Sequence, residues 1–369
     1  MGVARGGGEN FDLNIARQFI GRGHNVKVYT GSPIFKQKIN IEDFNVKYIS
    51  SPYFRGFHYR LKQIDYKLIN KVSGFFLKLD LFCFQILLFY KIKNCNWADI
   101  YQISGMPYLG AWLEKRGKTS IIRWAGPTTT FNLESMKLCS ANIANGNAYE
   151  IIKNEIYPPI KFIDIGVDSN YFEPIIKKDE KIVTFLFVGR IIPIKNIPFM
   201  ISAFVNVAKN NTNIKLNIVG SGEAKEEEKI KNLILKTKSA KYIKLCGEKR
   251  GLQLLEYYQN SDCFIITSNY DNFPNVVLEA MSCGLPIIGT NVGGISQQIF
   301  HNHNGFLITN KDSLELEKAI TIIAKSKSIR KNYGDYSRRV VIEKYSWEKT
   351  ATSLIKLYNK IIEEKGVLF

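Results

Sequence analysis

The second half of the chain alternates short apolar runs with helical stretches, and this alternation constrains the fold more than any other feature of the sequence. The apolar runs after residue 181 are, in order, IVTFLFVGR, IKLNIVGSGE, KYIKLCGE, DCFIITS and PIIGT. Strands that alternate with helices form parallel sheets covered by helices on both faces. The pattern therefore predicts a doubly wound α/β domain, whose ligands lie at the carboxyl ends of the strands.

The first half shows the same alternation after an amphipathic helix, predicted over about residues 9–22 and ending at Gly23. Its apolar runs are NVKVYTG, NWADIYQISG, TSIIRWAGP, SANIANGN and PIKFIDIGVD. The predicted fold class is thus α/β, with two Rossmann-like doubly wound domains facing each other across a cleft. Because only a short glycine-rich stretch precedes the first helix, the first strand of the N-terminal domain is expected to be missing.

A polar segment divides the two halves. Residues 168–181 are charged and contain a proline, which indicates a linker. The expected organisation is an N-terminal Rossmann-like domain over 1–167, a C-terminal one over 182–345, and a helix over 346–369 that packs back toward the N-terminal domain. A length of 369 residues suits two domains, each with its own core.

The charge balance points to anionic partners. The chain has 51 basic and 33 acidic residues, a net charge of +18. Phosphorylated substrates and an anionic membrane face both fit this charge. Nucleic acid fits least, since there is no zinc-type cysteine spacing and no arginine-rich arm. A solvated lysine-rich surface with no specific partner is an equally open interpretation.

Cysteine usage and hydropathy bear on location. The six cysteines are scattered, mostly in apolar runs, as in a reduced cytoplasmic protein, and the first ten residues lack the apolar core of a signal peptide. The longest apolar segment, 72–94, is interrupted by Lys78 and Asp80, which favours a buried or membrane-surface helix over a spanning one. The basic aromatic stretch 52–71 could dock on anionic lipid. A cytoplasmic protein, peripheral on the inner face of the membrane, is expected.

Two loops after predicted strands carry residues suited to phosphate. In FVGRIIPIKN, Arg190 follows the strand directly and Lys195 lies five residues further on. A guanidinium and an ammonium so placed suit a diphosphate, although two surface cations would look the same. In NIVGSGE, Gly220 and Gly222 lie between a strand and a helix. Glycine there permits close approach of an anion to the backbone, but a tight strand-to-helix turn needs it equally.

Two carboxylates flank a predicted helix start. Asp271 lies in the loop before the helix, Pro274 fits its first position and Gly284 fits its stop. Glu279 then lies about one and a half turns into the helix, on a polar stripe with Asn275 and Ser282. This separation favours two contacts with one long polar ligand over a shared proton. A third glycine loop, Gly6 to Gly8, leads into the first helix and also suits a phosphate.

Taken together, these motifs resemble the GT-B glycosyltransferases, specifically the retaining family four type, also described as group 1 glycosyl transferases. FVGRIIPIKN is similar to the Gly-Arg…Lys motif for the donor phosphates, and YDNFPNVVLEAMSCGLPIIGTNVGG to the E-x7-E region and the segment after it. The runs RGHNVKVYTG, IGVDSNYFEP, HNGFLI and YSWEKTA match the surrounding pattern. The resemblance covers nearly the whole chain.

The resemblance implies a role for each motif. Arg190, Lys195 and Asp271 would be catalytic, the two cations neutralising the donor diphosphate and Asp271 meeting hydroxyls of the donor sugar. Glu279 would hold the ribose hydroxyls. The remaining donor-binding positions implied are Gly7, Gly8, Gly189, Gly220, Gly222, Asn272, Phe273, Pro274, Asn275 and Val276. No metal ion and no cofactor beyond the nucleotide-diphosphate sugar are implied. The N-terminal domain would lie on the acceptor side, and the C-terminal domain would bind the nucleotide sugar.

Two departures from the family pattern stand out. Asp271 and Asn272 replace the usual Glu and Gly, so the shorter carboxylate is expected to select a different sugar or to bind it less closely. The His often found after the fourth strand is absent, and Arg123 is there as a weak acceptor-side candidate or an ordinary surface arginine.

The expected function is transfer of a sugar from a UDP or GDP sugar to a glycan, with a lipid-linked acceptor, in lipopolysaccharide or capsule synthesis. The alternatives are an epimerase or phosphorylase on the same fold, or a donor-binding non-enzyme.

Overall fold

The structure is a computed structural model that describes residues 7–33, 46–51, 67–124, 130–155, 160–176, 182–210 and 213–366. The chain divides into two compact units. The first comprises Met1–Ile163 together with Ala351–Phe369, and the second comprises Asp164–Thr350. Both units are built on parallel sheets, so the predicted α/β class with two doubly wound domains is confirmed.

The first unit contains two parallel sheets. One pairs β1 (Val28–Pro33) with β2 (Val46–Ser51), and the other has the order β3-β4-β5-β6 over Tyr101–Ser104, Ser120–Trp124, Ala141–Ala144 and Lys161–Phe162. The helices are α1 (Gly7–Ile20), α2 (Lys67–Ile92), α3 (Pro107–Glu114), α4 (Thr130–Lys137) and α5 (Gly146–Ile152). Among the described residues, which begin at Gly7, no strand precedes α1.

Helix α2 lies over the segment for which a buried helix or a membrane-surface helix was expected. Phe84, Leu88 and Ile92 on its inner face are buried in the core of the unit, with Tyr101 and Ile103 of β3. No helix in the described part of the chain is both long enough and apolar enough to cross a bilayer. The core interpretation of α2 is therefore correct. Most of the basic aromatic stretch lies outside the described residues, since 52–66 are not among them.

The second unit has one six-stranded parallel sheet in the order β12-β11-β10-β7-β8-β9. The strands are β7 (Val183–Val188), β8 (Ile214–Val219), β9 (Ile243–Gly247), β10 (Cys263–Ile266), β11 (Ile287–Thr290) and β12 (Gly305–Ile308). The helices are α6 (Ile197–Asn210), α7 (Ala224–Lys236), α8 (Leu252–Gln259), α9 (Asn275–Ser282), α10 (Ile295–Gln298), α11 (Ser313–Lys325) and α12 (Lys327–Lys344). The last helix, α13 (Trp347–Glu364), belongs to the first unit from Ala351 onward. Counted within the unit this order is 3-2-1-4-5-6, the arrangement of dinucleotide-binding sheets.

The sheet of the second unit is held by a continuous apolar core. Phe185 on β7 packs edge-on against Phe204 on α6, with ring centroids 5.5 Å apart, and both side chains are fully buried. Burying a side chain of this size contributes about 1.5–3 kcal/mol to the free energy of folding. This core fixes the strands whose carboxyl ends carry the predicted site.

Residues 168–176 of the predicted linker pack within the second unit. The Oγ of Ser282 donates a hydrogen bond of 2.6 Å to the carbonyl of Phe172. The guanidinium of Arg338 donates to the carbonyls of Ser169 and Phe172, at 2.8 and 3.0 Å. Side chains of α9 and α12 therefore hold the backbone of this segment in place through hydrogen bonds to its carbonyl groups. Residues 177–181 lie outside the described part of the chain.

Candidate functional site

The strand order of the second unit determines where a ligand can bind. The connections from β7 run toward β8 on one side, while β10 lies on the other side of β7. Such a reversal opens a crevice at the carboxyl ends of the two central strands, where α/β sheets bind their ligands. The loop after β7 carries Gly189, Arg190 and Lys195, and the loop after β10 carries Asp271. The structure thus brings these predicted residues to the same edge of the sheet.

Lys195 and Asp271 form an ion pair between these two loops. Their side chains are 14% and 18% exposed, so the pair is partly shielded from water. The loops are also joined through the backbone, since the N–H of Asn269 donates to the carbonyl of Ile194 at 2.8 Å. Sequence reasoning identified both residues but not their pairing, because they lie 76 positions apart.

Arg190 is exposed at the start of the loop after β7. Within the residues that the structure describes, its guanidinium has no hydrogen-bond acceptor or carboxylate partner. An arginine with its fork of donors open to solvent can bind an incoming phosphate in a bidentate manner. The two cations of the motif therefore differ. Lys195 forms an ion pair with Asp271, whereas the guanidinium of Arg190 has no partner among the described residues.

Gly220 and Gly222 allow the loops after β7 and β8 to touch through their backbones. A Cβ on Gly220 would collide with the carbonyl oxygen of Gly189, and one on Gly222 with that of Ile191. The N–H of Ile191 donates to the carbonyl of Ser221 at 2.9 Å across the same contact. Packing of the two loops accounts for both glycines, and their contact with a donor stays a prediction.

Gly293 and Gly294, which follow β11, support the loop that carries Asp271. A Cβ on Gly293 would collide with the carbonyl oxygen of Asp271, and one on Gly294 with that of Asn272. The N–H of Gly294 donates to the Asp271 carbonyl at 2.9 Å. Sequence reasoning assigned these glycines no role. The available signal was the adjacent glycine pair, which begins three residues after the end of β11.

Helix α9 begins one residue later than predicted. Pro274 is its N-cap and not its first helical residue, because its ψ of 118° is extended. The first-turn N–H groups belong to Asn275 and Val276 and have no intrahelical acceptor. Phe273 turns its buried ring toward Tyr345, with centroids 5.8 Å apart, so it can offer a ligand only its backbone.

Glu279 accepts a hydrogen bond of 2.7 Å on Oε2 from the hydroxyl of Tyr258. Tyr258 comes from α8 and is fully buried. Burial raises the pKa of the Glu279 carboxyl, and the hydrogen bond from Tyr258 offsets part of that rise. Burial, with the charge of Glu279, also holds the pKa of Tyr258 well above its ordinary value. Tyr258 was missed, because nothing in its helix distinguishes it from a core aromatic.

The predicted polar stripe on α9 divides into two parts. Ser282 is fully buried and receives a hydrogen bond of 3.0 Å from Arg338, so it anchors the helix to α12. Asn275 and Glu279 are half-buried. Of the three residues in the stripe, Asn275 and Glu279 remain accessible to a ligand, whereas Ser282 has a structural role.

The remaining candidates lie in the first unit. Gly7 and Gly8 are the first residues of α1. Arg123, near the carboxyl end of β4, is buried, with its guanidinium 3.9 Å from the centre of the Phe11 ring. A surface arginine, one of the two expectations for this position, is thus not what the fold produces. Among the described residues, no group of three or more His, Cys, Asp or Glu side chains is arranged to hold a metal ion.

Comparisons with known proteins agree with this geometry. Residues 168–340 match the model of the family described as glycosyl transferases group 1. An uncharacterized glycosyltransferase of Methanocaldococcus jannaschii is 29% identical over 191 residues, which is 52% of this chain and 48% of that protein. The capsular polysaccharide biosynthesis glycosyltransferase CapM of Staphylococcus aureus is 25% identical over 62% of this chain and 60% of its own.

The fold also has solved counterparts. The Anabaena protein HepE, solved in complex with UDP and glucose, superposes with a TM-score of 0.72 at 17% identity, over 96% of each chain. Alignments with the first curated relatives span 48%, 57% and 60% of those proteins, about half to three fifths of their length. The two units have the fold of GT-B glycosyltransferases, and the similarity to the group 1 glycosyl transferases covers residues 168–340.

Proposed function

We propose that this chain transfers a sugar from a nucleotide-diphosphate sugar to a glycan acceptor, with retention and without a bound metal ion. The observation that carries the proposal is the grouping of Arg190, Lys195, Asp271 and Glu279 around the crevice at the ends of β7 and β10. Two cations, two carboxylates and the free N–H groups of a helix start match the parts of such a donor.

The diphosphate would be bound by Arg190, Lys195 and the N-terminus of α9. Arg190 is exposed and unpaired among the described residues, so a phosphate can reach it without breaking a contact. Lys195 adds a second positive charge, and Asn275 and Val276 add N–H groups at the positive end of the α9 dipole. Fixed positive groups of this kind stabilise a departing nucleotide diphosphate. They also make a metal ion unnecessary for that step.

The two carboxylates would bind opposite ends of the donor, namely the ribose and the transferred sugar. Glu279 is oriented by Tyr258 and is suited to accept hydrogen bonds from the ribose hydroxyls. Asp271 would meet hydroxyls of the transferred sugar while it remains beside Lys195. Asn272, Phe273 and Pro274 would border the sugar through their backbones. Gly189, Gly220 and Gly222 would border the diphosphate.

The acceptor is proposed to be a lipid-linked precursor of a cell-surface polysaccharide. The net charge of +18 favours anionic diphosphate lipids, and one relative is named for capsular polysaccharide biosynthesis. The protein would then act in the cytoplasm, on the inner face of the membrane, with Arg123 on the acceptor side. Binding to vesicles with and without anionic lipid, at low and high salt, tests the membrane association.

The activity is tested by release of nucleotide diphosphate from UDP-glucose, UDP-N-acetylglucosamine and GDP-mannose, with and without a polyprenyl-diphosphate-linked sugar. Release that requires the acceptor is expected. Lys195→Ala should lower it by about a hundredfold, because a group that stabilises the leaving charge is lost. Lys244→Ala, a change of an exposed lysine on β9, is the matched control and should leave it unchanged.

Two other results would contradict the proposed transferase activity and indicate a different function. Conversion of the donor sugar without nucleotide release indicates an epimerase. Donor binding by calorimetry with no product of either kind indicates a non-catalytic donor-binding protein. Retention is read from the anomeric configuration of the product by NMR.

A further inference from the structure

Lys195 and Asp271 are each other's only side-chain partners in the part of the chain that the structure describes. The ammonium of Lys195 pairs with no other carboxylate, and the carboxylate of Asp271 accepts from no other donor. Because both side chains are partly shielded from water, the attraction between them is stronger than in an exposed pair. An anion that binds Lys195 therefore competes with Asp271 for the same positive charge.

The carboxylate of Asp271 has little freedom to move away from this pair, because its backbone is fixed. The carbonyl oxygen of Asp271 accepts a hydrogen bond of 2.9 Å from the N–H of Gly294. A Cβ on Gly293 would collide with that same oxygen. The side chain is also short, so the position of the negative charge is nearly constant.

Lys195 is fixed at its backbone but not along its side chain. Its carbonyl oxygen accepts a hydrogen bond of 3.3 Å from Oγ1 of the buried Thr267, and its N–H donates to the carbonyl of Ile192 at 3.0 Å. The flexible stem of a lysine ends in an ammonium with three N–H donors. Lys195 can therefore stay beside Asp271 and still turn an N–H toward a phosphate, but its charge is then shared between two anions.

Arg190 differs from Lys195 in this respect. It is exposed, and among the described residues no carboxylate competes for its guanidinium. A diphosphate therefore meets one cation that is fully available and one whose availability depends on how strongly Asp271 attracts it. A ligand group that satisfies the Asp271 carboxylate in another way should strengthen the contact of Lys195 with the phosphate.

The sugar part of the donor supplies such groups. In the proposed function its hydroxyls donate hydrogen bonds to Asp271, and the positive end of each hydroxyl offsets part of the carboxylate charge that attracts Lys195. The product nucleotide diphosphate brings no sugar hydroxyl to this position, so Asp271 keeps its hold on Lys195. Binding of the sugar and binding of the phosphates are then coupled through one ion pair.

We propose that Asp271, through its ion pair with Lys195, discriminates the sugar-bearing donor from the product nucleotide diphosphate. The donor receives both Arg190 and Lys195 at its phosphates, whereas the product receives Arg190 in full and Lys195 only in part. The product is therefore bound more weakly, which favours its release after transfer. This inference rests on the proposed function, because it requires sugar hydroxyls at Asp271.

The test measures affinities for UDP-glucose with UDP, and for GDP-mannose with GDP, by calorimetric titration of the full 369-residue chain. Each pair that the wild type binds is then used with the variants. Asp271→Asn keeps the shape of the side chain and removes its charge. It should bind the nucleotide diphosphate about tenfold more tightly and the nucleotide sugar about tenfold less tightly, whereas a merely structural defect would weaken both. Asp335→Asn, in an exposed ion pair with Lys331 on α12, is the matched control and should change neither affinity.

Lys195→Met shows whether Lys195 carries the effect. Alone, this variant should weaken binding of the nucleotide sugar more than binding of the nucleotide diphosphate. In the Lys195→Met background, Asp271→Asn should tighten binding of the nucleotide diphosphate much less than it does in the wild type. An equal gain in both backgrounds would mean that the lost negative charge acts directly on the phosphates, and it would overturn the proposal.

The outcomes separate this inference from the proposed function. A wild type that binds neither pair would contradict both. A wild type that transfers sugar, and whose Asp271→Asn variant binds the nucleotide diphosphate no more tightly, would overturn this inference alone. Circular dichroism shows whether the variants are folded. If Asp271→Asn is unfolded, Lys195→Met decides, because an equal loss of affinity for both ligands would also overturn the inference.

Discussion

The hydroxyl of Tyr258 donates a hydrogen bond of 2.7 Å to Oε2 of Glu279, and this contact joins α8 to α9 beneath the candidate donor site. A buried donor with a fixed position holds one carboxylate oxygen and so limits rotation of the whole group. The ribose contact proposed for Glu279 therefore depends on a residue that need not touch the ligand.

Tyr258→Phe should raise KM for the donor by about five- to tenfold and leave kcat nearly unchanged. The change removes a positioning contact and none of the groups on the diphosphate, and tenfold corresponds to about 1.4 kcal/mol. Tyr257→Phe, one position earlier on α8, is the matched control. An unaltered KM in the Tyr258 variant, with its fold intact by circular dichroism, would show that the bond does not position Glu279.

Donor affinity should rise with pH through the raised pKa of Glu279. Burial favours the neutral carboxyl, so in the folded protein the carboxylate forms only at a pH above its ordinary value. The sign for stability is opposite: the contribution of the neutral form is fully present below the unfolded pKa and is lost as pH rises through the folded one. Glu279→Gln should raise KM and flatten both profiles, measured by calorimetric titration and by urea unfolding across pH.

The ion pair of Lys195 and Asp271 should behave as one unit. Each single replacement by Ala leaves its partner unpaired and partly buried, so the double variant should lose less kcat/KM than the two singles predict together. Asp271→Glu, which lengthens the side chain by one methylene, should change the ratio of kcat/KM among donor sugars. Wild-type turnover by Asp271→Ala would rule out its role at the sugar.

Gly220→Ala should destabilise the second unit by about 3 kcal/mol or more, because a Cβ there meets the Gly189 backbone and neither loop can retreat. Gly247→Ala, in the same unit, is the control. Its φ of +67° also favours glycine, but no atom lies within 4 Å of the new Cβ, so a cost of about 1–2 kcal/mol is expected. Similar urea midpoints for the two variants would contradict the packing explanation.

Glu114 should contribute to the stability of the first unit at neutral pH. Burial on its own would raise its pKa, but hydrogen bonds from Lys365, Ser140 and Ser120 together lower it. A lowered pKa means stability that is present above the unfolded value and lost as pH falls through the folded one. Glu114→Gln should cost about 1–3 kcal/mol at pH 7. Glu150→Gln, at an exposed pair with Lys153, should cost little.

The sequence was sufficient to predict the sheet and the loops at its edge. Apolar runs bounded by glycine and proline place Arg190 after β7 and Asp271 after β10, and a parallel sheet then brings the two loops together. Tyr258 could not be predicted, because its 21-residue separation from Glu279 leaves no local pattern.

The contact of Gly293 and Gly294 with Asp271 and Asn272 has an evolutionary consequence. Insertions or deletions in either loop would separate backbones that now touch, and so would any side chain at the two glycines. If Asp271 contacts the donor sugar as proposed, we therefore expect sugar preference to diverge by exchange of side chains at positions such as 271, on a backbone that stays the same.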